Sequence, residues 1–364
     1  MTKSVLIYGA GAIGRGFLAP LLQKYNFEIS FVDIDEKLIT ELKSRKHYKV
    51  AITGSEDYEF VDVAVTNSFF PDEDKNIKQY DLVFSCVGPA NCYDLSEDFK
   101  HAKTLISCEN DMSTVKGLQE LSGNQNIYFG IPDVITSNTA PPELLKHEPL
   151  MTVTEKGVLI LGRGNYQLTD EILQVDYEVL HMHWMCKLFI HNAPHAIVAY
   201  LGWMKGYIYV HEAMADLEIN EIVAGAISEI TDGVIASCFA KKEYANYYKE
   251  KELKRFSNKL LYDTITRVAR EPLRKIAKNN RLVLALRIAL FNGVQPENTA
   301  KGLKAALYYN NAADEEAVYF QKLRETAQDS ELLEKFSGID HLDPLNGFIT
   351  QQKISPFLIK NYDK

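Results

Sequence analysis

Lys3-Ser4-Val5-Leu6-Ile7-Tyr8-Gly9-Ala10-Gly11-Ala12-Ile13-Gly14-Arg15-Gly16-Phe17 is the stretch whose reading decides the fold. Residues 3–8 read as a strand buried on both faces, and Phe17, Leu18, Leu21 and Leu22 continue at helical spacing. Between them lies GxGxxG: Gly9 for a tight turn, Gly11 for close backbone approach to a pyrophosphate, Gly14 for close helix–strand packing. The phosphates of a dinucleotide then meet the free N–H groups and the positive end of a helix N-terminus. Ile29 to Asp33 reads as the second strand, ending in a carboxylate 24 residues after Gly9, placed to accept from a ribose diol. A carboxylate at this position repels a 2′-phosphate, so Gly9, Ala10, Gly11, Ala12, Ile13, Gly14 and Asp33 are expected to bind NAD rather than NADP.

Working outward, Leu82 to Cys86 and Thr104 to Cys108 are further strand-like runs, separated by charged or helix-like stretches. Strand and helix in alternation predict a doubly wound parallel sheet, the Rossmann-type α/β class. Val87-Gly88-Pro89 and Cys108-Glu109-Asn110 follow those runs, on the carboxyl edge where such sheets bind ligands, so Val87, Gly88 and Pro89 join the expected cofactor site. Met151 to Gly162 reads as strand or hairpin and is placed with the first domain. From about residue 180 helical periods dominate, at Ile219 to Cys238, Tyr244 to Phe256, Leu260 to Ala269 and Ala300 to Tyr309. Two domains are expected, an NAD-binding domain over 1–180 and a mainly α-helical substrate and catalytic domain over 181–364.

Composition narrows the function classes. The 364 residues are 46% hydrophobic and 24% charged, which is ordinary for a globular protein and too long for one compact core. The net charge of −9 provides no field to draw the chain to nucleic acid or anionic membrane, so an anionic ligand must be caught locally. Five cysteines without a CxxC pair favour a reducing cytoplasm, and the first strand begins too early to leave room for a signal peptide. No apolar run approaches the ~20 residues of a membrane span.

The chemistry-bearing segment is Lys187-Leu188-Phe189-Ile190-His191-Asn192-Ala193-Pro194-His195. On a regular helix His195 and Asn192 stand at about 80° and 140° from Lys187, close enough to converge on one substrate oxygen, although Pro194 disturbs that geometry. A lysine among apolar neighbours is suited to take the hydroxyl proton as a hydride leaves carbon, provided desolvation brings its pKa toward ~7–8. His195 and Asn192 are then expected to donate to the reacting oxygen. A rival reading takes His181, His183, His191 and His195 as metal ligands; no Cys pair or HExxH glutamate completes a set, and no metal is expected.

A basic segment follows. Lys251 to Arg281 holds ten basic residues against Glu252, Asp263 and Glu271, in an acidic chain. Arg267, Arg270 and Arg274 stand at i, i+3 and i+7, spaced to share a helical face whose guanidinium forks suit phosphate or carboxylate; alternatively Pro272 starts a new helix there.

In this order the glycine motif, the lysine cluster and the arginine segment resemble the polyol-specific long-chain dehydrogenases. Gly9 to Phe17 is similar to that family's GAGxIGRGF, Val87-Gly88-Pro89 and Cys108-Glu109-Asn110 to its VGP and CEN elements, and Lys187, Asn192 and His195 to its KxxxxNxxH signature. Arg255, Phe256 and Asn258, then Asp263, Arg267, Arg270, Pro272, Arg274 and Lys275, resemble the segment of its phosphate-ester branch. The resemblance implies a metal-independent, NAD-dependent enzyme with Lys187 as general acid/base and Asn110, Asn192 and His195 holding the reacting oxygen. It also implies that Arg255, Asn258, Arg267, Arg270, Arg274 and Lys275 bind a polyol phosphate, with mannitol 1-phosphate and fructose 6-phosphate as the expected pair. Departures at Asp133 to Asn138, at Met185-Cys186 and at Ala269 bear on the substrate, and leave a free polyol or a hexuronate as alternatives. A non-catalytic NAD-binding protein is the alternative of another class.

Overall fold

A computed structural model of the chain describes residues 3–166, 168 and 172–354. The chain divides into two compact units, one of Met1–His181 with Leu260–Tyr262, the other of Met182–Lys259 with Asp263–Lys364.

The first unit is built on an eight-stranded sheet. Its strands are β1 (Lys3–Tyr8), β2 (Phe27–Val32), β3 (Asn67–Phe69), β4 (Leu82–Ser85), β5 (Leu105–Ser107), β6 (Ile127–Asp133), β7 (Val158–Gly162) and β8 (Leu173–Val175). They lie in the order β8-β7-β6-β5-β4-β1-β2-β3. From β3 across to β6 every pairing is parallel, whereas β7 joins β6 antiparallel. The chain winds outward from β1 through β2 to β3, then returns to the other side of β1 with β4. That reversal makes the β1–β4 junction the switch point of a doubly wound sheet, where a crevice opens at the carboxyl ends.

β1 lies at the centre, with Val5 opposite Ile29 on one side and Leu82 on the other. Its alternate residues fill two separate apolar layers. Val5 and Ile7 pack with Phe17, Leu18, Leu22 and Phe31, while Leu6 and Tyr8 pack with Val83, Phe99, Leu105 and Leu118. Burial on both faces is why the run is continuously apolar instead of alternating.

A second sheet went unread in the sequence. Tyr58–Ala64, His47–Thr53, Thr152–Thr154 and Thr136–Ser137 pair in that order, the first two as an antiparallel hairpin. Its strands interleave apolar residues with threonines and the charged Lys49, Glu59 and Asp62, and Tyr48, Val50, Ala51, Val63 and Val153 are its almost fully buried apolar positions. The strand material expected at 151–162 is therefore not a hairpin: Thr152–Thr154 pairs parallel with His47–Thr53, while β7 belongs to the main sheet.

The second unit is helical. At its centre is Ala193–Lys205, apolar on every side and buried along nearly its whole length, as a helix enclosed by other helices must be. Leu217–Ala236, Glu297–Leu307 and Ile265–Ala269 pack on it. The period expected over Leu260–Ala269 is not one helix. A 3-10 turn at Lys259–Leu261 ends at Tyr262, whose φ is 48°, and the chain restarts as Ile265–Ala269. Among the described residues no helix is long and apolar enough to cross a membrane.

Candidate active site

The glycine loop connects β1 to a helix whose first turn, Gly14–Leu18, is of the wide π form. The three glycines do three different things. Gly9 has φ +96°, and a Cβ there would come within 2.6 Å of the Cys86 carbonyl oxygen. A Cβ on Gly14 would stand 1.9 Å from the Gly9 carbonyl oxygen, so the loop closes on itself only with glycine at that position. Gly11, by contrast, faces open space, with nothing within 4 Å of where its Cβ would be. A turn sealed at both ends and open in the middle is what a pyrophosphate requires. Ala10 is buried, and Ala12 and Ile13 form a half-buried rim beside Gly11.

Asp33 follows β2, and its Oδ2 accepts from the Ala10 N–H at 2.6 Å, its Oδ1 from Asp35 N at 3.0 Å. The carboxylate expected to read a ribose thus also braces the glycine loop. On the other side of β1, Gly88 has φ +101° and heads the Val87-Gly88-Pro89 loop. Glu109 holds that loop. It is buried, accepts from Ser85 Oγ at 2.5 Å, Val87 N at 3.0 Å and Gly88 N at 2.8 Å, and burial raises its pKa against the pull of those bonds. Asn110 follows it, half-buried. Behind the loop the buried Arg15 donates from Nε to Ala10 O at 2.5 Å and from its terminal nitrogen to Leu150 O. Burial lowers its pKa, and Tyr48, whose ring lies 5.8 Å away, partly offsets this.

In the helical unit, Lys187–Asn192 is a second π turn, directly before Ala193–Lys205. Pro194 sits in the first turn of that helix and has no N–H to donate back, which suits a widened turn ahead of it. The π form changes the expected angles: Lys187 and Asn192, five residues apart, come about one turn apart on a shared face. Lys187, Asn192 and His195 are all buried, at 8%, 7% and 9% exposure.

Two parallel chains of charge run from this helix. His195 Nε2 meets Asp263 Oδ2 at 2.9 Å, and the other oxygen of Asp263 accepts from Arg267 Nε at 2.9 Å and its terminal nitrogen at 2.5 Å. His191 Nδ1 meets Glu252 Oε2 at 2.5 Å, and Glu252 Oε1 accepts from Arg255 at 2.5 Å. The imidazoles lie 5.2 Å apart, and that of His195 stacks on Phe256 at 4.9 Å. Burial would raise the pKa of Asp263, but the Arg267 charge and the His195 hydrogen bond outweigh it and bring it to about 2. An ionised Asp263 only accepts, so the proton of this pair sits on His195 Nε2.

The residues expected to bind substrate therefore separate. Arg255 and Arg267 are engaged by Glu252 and Asp263. Arg267 and Arg270 border an open recess of about 490 Å³ together with Thr266, Glu271 and Asp314. Pro272 does start a new helix, Pro272–Ile276, so Arg267, Arg270 and Arg274 share no continuous helical face. Arg274 reaches Glu271 at 2.5 Å, and Arg270, 64% exposed, approaches the same carboxylate at 3.5 Å. Lys275 is buried, and Asn258 half-buried at the end of the Lys242–Phe256 helix. Of the histidines in the metal reading, His183 Nδ1 pairs with the Tyr244 hydroxyl at 2.6 Å, and His191 and His195 are bound to carboxylates. Among the described residues no three His, Cys, Asp or Glu side chains are grouped to hold a metal ion.

Sequence reading missed Asp263 and Glu252 as partners of the histidines. The signal was present: Asp263 and Arg267 stand at i, i+4, Glu252 and Arg255 at i, i+3, spacings at which opposite charges pair on a helix.

Comparison with known proteins bears on the whole chain. The model of the mannitol dehydrogenase Rossmann domain matches residues 3–121, and that of the mannitol dehydrogenase C-terminal domain matches residues 180–342. A mannitol-1-phosphate 5-dehydrogenase of Bacillus pumilus is 31% identical over 93% of this chain and 96% of its own length. One of Clostridium acetobutylicum is 29% identical over 94% and 96%. Among solved structures, a ternary complex of Pseudomonas fluorescens mannitol 2-dehydrogenase with NAD and D-mannitol has the same fold, with a TM-score of 0.78 and 16% identity, covering 96% of this chain and 91% of that one. With both of its domains matched and a relative this similar along nearly its full length, the chain belongs to the mannitol dehydrogenase family.

Proposed function

We propose that this chain is an NAD-dependent dehydrogenase that interconverts mannitol 1-phosphate and fructose 6-phosphate. The observation that carries the reading is the end-to-end similarity to relatives named mannitol-1-phosphate 5-dehydrogenase, 93% of this chain against 96% of the Bacillus pumilus protein. The glycine loop fits the cofactor: Gly11 leaves backbone open to a pyrophosphate, and Asp33 stands where an adenosine ribose is read. NAD, when bound, supplies the hydride acceptor for alcohol oxidation and the hydride donor for ketone reduction.

The residues of the chain manage the proton and the oxygen. Lys187, buried on the π turn, takes the hydroxyl proton as the alcohol is oxidised and returns it during reduction. Asn192 donates from its amide to the reacting oxygen, with Asn110 as its partner in the role. His195 acts differently from the simple donor expected from sequence. With Nε2–H held by Asp263, neutral His195 presents Nδ1 as an acceptor, and its imidazolium presents Nδ1–H as a donor. Lys187 alone takes the single hydroxyl proton, and His195, held in one orientation by Asp263, gives Nδ1–H to the reacting oxygen in its imidazolium form without passing the proton on. Arg255 and Arg267 serve by fixing Glu252 and Asp263, while Arg270 and Arg274 share the one carboxylate of Glu271 and with Lys275 leave the basic segment in cationic excess for the phosphoryl group.

The test is NADH oxidation by the purified protein, after exhaustive chelation, with fructose 6-phosphate beside fructose, tagaturonate and fructuronate. Turnover on the phosphate ester with little on the others is expected. Turnover confined to an unphosphorylated or uronate substrate would move the substrate and contradict the phosphate reading.

A further inference from the structure

Lys275 and Arg281 place two cations in the interior of the helical unit, at 4% and 6% exposure. Neither makes an ion pair among the described residues. The Lys275 ammonium donates to the Arg270 carbonyl, and the Arg281 guanidinium has one side-chain acceptor, Asn280 Oδ1, 3.2 Å from Nε. The two terminal nitrogens of Arg281 make no hydrogen bond within the described chain. The nearby carboxylate, Glu271, is taken by Arg274 at 2.5 Å and shared with Arg270. Arg281 and Arg274 lie close enough to Lys275 to disfavour its charge, and Arg274 does the same to Arg281. Burial, reinforced by that repulsion, holds Lys275 well below its usual range and brings Arg281 to about 9.

Buried cations are normally paired, because leaving them unpaired costs several kcal/mol per ion. Two buried cationic groups without a carboxylate partner, and with guanidinium N–H donors to spare, form a place where an anion restores the charge that burial disfavours. The charge also selects among anions: a phosphomonoester approaches two negative charges at neutral pH, a hexuronate carries one, and a free polyol carries none. We propose that Lys275 and Arg281 form a buried anion subsite that takes the phosphoryl group of the substrate, with Arg281 as a specificity-determining residue for phosphorylated over free polyols. This rests on the reading of the substrate as a sugar phosphate. The same chemistry is offered by inorganic phosphate, and the experiment separates the two.

Thermal unfolding of the wild type, Arg281→Gln and Lys275→Met is followed with and without saturating inorganic phosphate at constant ionic strength, beside steady-state kinetics with fructose 6-phosphate. In phosphate-free buffer both variants should melt above the wild type, since each removes a repelling buried charge; a merely structural cation would shift Tm the other way. Phosphate should raise the wild-type Tm by at least about 2 °C and leave the variants nearly unmoved. The KM for fructose 6-phosphate should rise at least about tenfold in Arg281→Gln, with kcat changing much less. Variants that melt lower and retain the phosphate shift, or an unchanged KM beside normal turnover, would overturn the subsite. A wild type that is protected by phosphate through Arg281 but inert toward fructose 6-phosphate would support the subsite for free phosphate and remove the proposed substrate instead.

Discussion

The two units carry their candidate functions in different materials. In the sheet unit the site is backbone: glycines at positions where a Cβ would strike a carbonyl, and Gly11 facing open space between them. In the helical unit it is side chains in series, His195 to Asp263 to Arg267 and His191 to Glu252 to Arg255, each held by the one behind it. Both begin on a π turn, Gly14–Leu18 and Lys187–Asn192, a form frequent at functional sites because it re-aims the residues of one helical turn. A backbone site tolerates no change at its sealed positions. A side-chain network should fail by degrees, according to how far a residue stands from the reacting oxygen.

The sharpest contrast is within the glycine loop. Gly14→Ala must displace the Gly9 carbonyl that its Cβ would meet at 1.9 Å, so unfolding in denaturant should show a loss of at least about 4 kcal/mol or no folded protein. Gly11→Ala, with nothing within 4 Å, should fold normally yet bind NADH at least about tenfold more weakly by fluorescence titration. Equal stability of the two variants would break the account of the loop.

Asp263→Asn probes the other material. The folded pKa of about 2 lies below the ordinary 3.8, so the ionised carboxylate stabilises the fold above about pH 4, and this is lost as pH falls toward 2. The difference is worth about 2 kcal/mol, and pH-dependent denaturant unfolding of the variant should show a flatter acid limb. An acid limb identical to wild type would mean that the pair with Arg267 does not stabilise the unit. The smallest expected effect is at Asp33→Ala, where the ratio of NADPH to NADH use should rise by about tenfold. A fixed ratio would leave Asp33 as a brace for Ala10 alone.

How much of this was legible follows the same division. The turn geometry of Gly9 and Gly14 was readable because glycine is the residue that adopts φ +96° or passes where a Cβ would strike a carbonyl, so residue type and position imply geometry directly. The doubly wound sheet was readable from continuously apolar strands, and the hairpin of His47–Thr53 with Tyr58–Ala64 was not, because its apolar positions are diluted by charge. Arg255 and Arg267 were visible as cations, but which anion each would meet depends on packing between distant segments. Their i, i+3 and i, i+4 acidic neighbours were a local hint that the carboxylates come from the protein. The π turn at Lys187 carries no recognisable composition, so the shared face of Lys187 and Asn192 emerges only in three dimensions.

On the proposed function, cofactor affinity should reside in the sheet unit's backbone and the proton chemistry in Lys187 of the helical unit. Lys187→Ala tests it most directly, with kcat and the NADH dissociation constant measured on the same preparation. The expected result is a kcat reduced by at least ~10² with NADH affinity nearly unchanged. Turnover retained at the wild-type level, or NADH affinity lost together with it, would contradict that division.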